Sequence, residues 1–116
     1  MKPHLCVIVT SDPRTSDRPA EAIRIAAGIG TWKKTEVSLY LRGPAILGLG
    51  EYVDDLKEED NFTRYLPILH DLGRSIHVQK GAPEILELGE SPVAFGELDD
   101  DQLAHHISQA TYVMRF

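Results

Sequence analysis

Leu5-Cys6-Val7-Ile8-Val9-Thr10 is a short apolar run rich in β-branched side chains, and it breaks off at the polar turn Ser11-Asp12-Pro13. A strand with one face in water alternates polar and apolar residues. This one does not, so it needs cover on both faces, as in a parallel sheet. The cover is encoded immediately downstream. Ser16 or Asp17 offers an N-cap, Pro19 suits the first helical turn, and Glu21 complements the positive end of a helix. Ala22, Ile25, Ala26 and Ile29 then recur at helical spacing, Ile23 and Ala27 widen the stripe, and Gly30 is the expected C-terminal cap.

The strand–turn–helix pattern repeats along the chain. Glu36–Leu41 reads as a second strand closed by Arg42-Gly43-Pro44, with Ala45–Leu49 as a short helical turn. An acidic loop follows from Glu51 to Asp60. Phe62, Tyr65, Leu66 and Leu69 then mark a helix that Pro67 is expected to kink or restart and Gly73 to stop. Ser75–Gln79 is a third strand, and Lys80–Pro83 turns into a short apolar helix through Ile85, Leu86 and Leu88. Pro92–Phe95 is expected as the fourth strand. Leu98, Asp99 and Asp100 begin a capped helix, with Leu98 and Leu103 as a hydrophobic staple. Leu103, Ile107 and Ala110 form its buried stripe, and Thr111–Phe116 is a terminal strand. Strands alternating with helices predict an α/β fold: a three-layer sandwich around a mostly parallel, five-stranded sheet. The length of 116 residues fits a single domain over 1–116.

Composition narrows the function classes. A formal net charge of −6 opposes general binding to a nucleic-acid backbone, which requires a positive field. No apolar run is long enough to span a bilayer, and the first residues, broken by Pro3 and His4, do not resemble a secretory leader. A cytoplasmic location without membrane or nucleic-acid partners is therefore expected. The single cysteine, Cys6, rules out an intrachain disulfide framework and a multi-cysteine zinc site.

In open parallel sheets, ligands bind outside the carboxyl ends of the strands. Those ends carry Ser11, Asp12 and Arg14, then Arg42 and Gly43, then His77, Gln79 and Lys80. Two arginines, a lysine and a helix N-terminus near Asp17 have the chemistry to hold a small anion. The plain alternative is that they are ordinary turn residues. No glycine-rich phosphate fingerprint is present, so neither a dinucleotide site nor a P-loop is expected. Cys6 lies in the middle of a strand and reads as a buried apolar residue rather than a nucleophile. His105 and His106 are adjacent on a helix and point about 100° apart, so they are not a metal pair. No catalytic residue, metal site or cofactor is expected.

The order of elements and their boundary residues resembles the DsrE/DsrF/DsrH family of sulfur-relay proteins over nearly the whole chain. The likeness rests on Val7–Pro13, on the small-residue helix Ala20–Ala27, and on Val37–Leu41 with its Arg42-Gly43-Pro44 turn. It also rests on the last helix and the terminal strand closing on Phe116. The resemblance implies a flavodoxin-like or related sheet and assembly into homo-oligomers. In active members a cysteine ends the strand corresponding to Ser75–Gln79, accepts a persulfide sulfur and passes it to a partner. Here that position falls between His77 and Gln79, neither of which can carry a persulfide. The resemblance thus implies a non-catalytic, structural or accessory subunit. Apolar helix faces and Phe116 would serve a homo-oligomeric interface, and sulfur-relay proteins would be the partners. The alternative is a small-anion or small-ligand binding module at the strand ends. An enzyme using His77 as acid or base is a third reading, with no neighbouring residue in its favour.

Overall fold

The computed structural model describes residues 2–116. The strands are β1 (His4–Val9), β2 (Glu36–Leu41), β3 (Ser75–Gln79), β4 (Gly96–Leu98) and β5 (Tyr112–Arg115). The helices are α1 (Arg18–Gly30), α2 (Glu59–Asp71) and α3 (Asp100–Gln109), with short 3-10 turns at Gly43–Leu49 and Pro83–Glu87. The sheet order is β4-β3-β2-β1-β5, and every neighbouring pair is parallel.

Register divides the sheet into two unequal faces. Leu5, Val7 and Val9 lie beside Val37, Leu39 and Leu41, which in turn pair with Ile76 and Val78. This face packs against Ala22, Ile23 and Ala26 of α1 and Phe62, Leu66 and Leu69 of α2, forming the main core. Burial of each large apolar side chain there contributes about 1.5–3 kcal/mol. The opposite face carries Cys6, Ile8, Tyr40 and Leu98, covered by Leu103, Ile107 and Ala110 at α3. The α/β sandwich anticipated from the pattern is therefore present, with two helices on one face and one on the other.

Several local expectations give way to tertiary contacts. The fourth strand is Gly96–Leu98 rather than Pro92–Phe95. Pro92 has no N–H for a ladder, and Val93 and Phe95 plug the main core instead. Gly30 does not end α1 in a left-handed conformation; it is helical and buried, and Thr31 is the C-cap. The carbonyl of Gly30 accepts from Nε and Nη2 of Arg74 at 3.1 and 2.7 Å, so a distant arginine caps the helix. At the other end, Asp17 makes no capping bond, and the Ser16 hydroxyl accepts from the N–H of Arg18 at 3.1 Å. Pro67 neither restarts nor divides α2, which runs through it as one element. Gly73, at φ +69°, closes that helix as expected. Its N–H reaches the His70 carbonyl, and that of Arg74 reaches Leu69. The helix anticipated around Ile85 is a single 3-10 turn that leaves Leu86 exposed and Leu88 buried.

Candidate functional site

The carboxyl ends of all five strands open on one side of the sheet, because every pairing is parallel. After β1, Asp12 and Arg14 are occupied with one another. The Asp12 carboxylate accepts from the Arg14 backbone N–H at 2.9 Å, from Nε at 3.0 Å and from Nη2 at 2.9 Å. Those bonds hold the Asp12 carboxyl below its ordinary pKa. Glu84 and Glu87 add a weaker attraction on Arg14. The Ser11 N–H donates to the Phe116 carbonyl at 3.3 Å.

After β2 and β3 a second group assembles. Arg42 Nη1 donates to Asp100 at the start of α3 at 2.9 Å, and to the Tyr40 hydroxyl at 3.4 Å. Burial pushes the Tyr40 phenol up, against the opposing pull of Arg42. Gly43 takes φ +58°, and its N–H donates to the Gln79 side-chain oxygen at 3.1 Å, tying the two strand ends together. The Lys80 N–H extends the ladder to the Leu98 carbonyl at 2.9 Å, and its ammonium makes no ion pair among the described residues. Gly81, at φ +75°, gives its N–H to Glu97 at 3.3 Å.

His77 lies one step back from this rim, on the α3 face opposite Tyr40 and Gly96. Its ring covers Gly96 so closely that a Cβ there would stand 3.0 Å from Cδ2. The ring of His106 stands 5.5 Å away, centroid to centroid, on α3. Burial, and after it the neighbouring His106, lower the pKa of His77. The two adjacent histidines of α3 diverge, since His105 Nε2 shares a hydrogen bond with Gln109 at 3.1 Å. Among the described residues, no group of three or more His, Cys, Asp or Glu side chains is placed to hold a metal ion.

The structure thus distributes the residues named from sequence over two groups. Arg42, Gly43, His77, Gln79 and Lys80 gather around the ends of β2 and β3. Ser11, Asp12 and Arg14 follow the adjoining β1, and among the described residues no side-chain hydrogen bond joins the two groups. Tyr40, Asp100 and His106 complete the β2–β3 group, and sequence reasoning passed over them. The alternation of β2, which puts Tyr40 on the face opposite Leu39 and Leu41, was the available signal. Cys6 lies on the same sheet face but beneath α3, 2% exposed. Burial raises its thiol pKa, against a hydrogen bond with Ser38 and the charge of Arg115.

A parallel five-stranded sheet in this order, with paired helices on one face and a lone helix on the other, is a three-layer α/β fold. The crystal structure of the ychN protein from E. coli superposes on the chain with a TM-score of 0.77 over 100% of both chains, at 18% sequence identity. No protein-family description matches the sequence, and no curated protein matches it. Among the described residues, no helix is long and apolar enough to cross a membrane.

Proposed function

We propose that this chain is a non-catalytic DsrE-like protein, acting as a structural or accessory subunit of intracellular sulfur transfer in the cytoplasm. The observation that carries this reading is the end of β3. His77, Gln79 and Lys80 occupy the region where the resemblance places a sulfur-carrying cysteine, and a carrier requires a thiolate. The chain's single thiol is on β1 instead, enclosed and with its pKa raised. The role left is assembly with further copies and with sulfur-relay proteins. The exposed run Tyr112-Val113-Met114 on edge strand β5 supports it, since an uncovered apolar edge is a template for pairing. Phe116 is less available than its position suggested: it is half-buried, with the Arg18 guanidinium 5.8 Å over its ring.

Incubation of the native protein with a sulfur donor, followed by persulfide labelling and mass analysis, tests the reading. Unmodified protein is expected. Stoichiometric persulfidation of Cys6 would contradict it. The second reading, a small-anion site at the ends of β2 and β3, is favoured by Lys80, whose charge no carboxylate compensates. Retention of a small anion by the purified protein is its test.

A further inference from the structure

Away from the strand ends, a recess of about 180 Å³ opens between the end of the Gly43–Leu49 turn and α2, with Pro92 on its far side. Gly48 sets its floor. The ring of Phe62 lies so close that a Cβ on Gly48 would come within 2.5 Å of it, so only glycine admits this contact. α2 presents Phe62, Thr63, Leu66 and Pro67 to the recess, a continuous stripe at helical spacing, and Val53 closes another side. An apolar cavity of about 150 Å³ is enough to take up a benzene ring.

Two acceptors in this recess lack a full complement of donors. Pro67 sits inside α2 and has no N–H to return to the carbonyl of Thr63, four residues earlier. That carbonyl loses its helical donor in the stretch that lines the recess. Glu51 adds a carboxylate at the rim, held only by a 3.5 Å contact from the Glu90 N–H. Several donors nearby are already committed. The N–H groups of Gly50 and Glu51 go to the carbonyls of Leu47 and Leu88. The Thr63 hydroxyl goes to Asp60, and Pro92, like Pro67, has no N–H. A ligand matched to this site has an apolar body of about one ring and a cationic donor. We propose that the recess binds a small primary amine, its hydrocarbon against Phe62, Leu66 and Val53 and its ammonium at the Glu51 carboxylate and the Thr63 carbonyl. The protein's net charge of −6 favours such a cation over an anion of the same size.

Benzylamine is the probe, with toluene and benzoate as its neutral and anionic counterparts, titrated against the intact protein by NMR of the Val53 and Leu66 methyl groups. Benzylamine is expected to bind about tenfold more tightly than toluene, and benzoate not to bind. Pro67→Ala restores an N–H to the Thr63 carbonyl while trimming the apolar wall, which the toluene control reads separately, and Glu51→Gln removes the charge. Each is expected to lower the ratio of benzylamine to toluene affinity about tenfold. Equal affinity for benzylamine and toluene, no binding of either, or an unchanged ratio in a folded Pro67→Ala protein would overturn the proposal.

Discussion

His77 shows how one side chain links the sheet to its lone covering helix. Its ring is trapped between the Gly96 backbone and His106, near the Tyr40–Arg42–Asp100 chain. Because burial and His106 depress its pKa, the folded protein binds this proton less readily than the unfolded chain does. The contribution to stability is therefore full above about pH 6.5 and is lost as the pH falls below that value toward the depressed folded pKa. Urea unfolding of the native protein and of His77→Asn, between about pH 7.5 and 5, measures this. The native protein is expected to lose more stability on acidification than the variant, and parallel curves would show that His77 carries no such coupling. Cys6 is a second titratable group that burial holds in its neutral form, and the fold uses it as a small apolar filler.

At the scale of elements, α3 was legible in the sequence because its signals are local. Asp99 accepts from the Gln102 N–H at 2.8 Å while Gln102 returns a bond to the Asp99 N–H at 2.9 Å, and Leu98 and Leu103 belong to the same apolar cluster. Asp99→Ala is expected to cost about 1 kcal/mol, read as a lower unfolding midpoint with an unchanged denaturant slope. A loss within error would mean that the cap is redundant with the packing of Leu103 and Ile107. The end of α1 was not legible, since its cap comes from Arg74, far along the chain, and a helical glycine at position 30 carries the same letter as a left-handed one. β4 was misplaced for a related reason. Val93 and Phe95 are apolar because they fill the main core, whereas Gly96 lies in the ladder with the His77 ring packed tightly over it, 3.0 Å from where a Cβ would stand. For the candidate site, parallel topology alone located the strand ends. That Asp100 neutralises Arg42, and that His106 meets His77, depends on how α3 crosses the sheet, which no spacing in the sequence records.

For the whole molecule, the two edges of the sheet differ. β4 is three residues long, and such a short edge offers little to pair with. β5, four residues long and ending on the charged Arg115, leaves Tyr112, Val113 and Met114 at 65%, 37% and 36% exposure. This asymmetry agrees with the proposed role, in which the chain contributes surface to an assembly and no thiol to its chemistry. Native mass spectrometry of protein gently purified from its own cells tests both halves of that claim together. A defined oligomer whose subunits carry no added sulfur is expected. A monomer at high concentration, or subunits bearing extra sulfur on Cys6, would contradict it, and a retained small anion would transfer the function to the ends of β2 and β3.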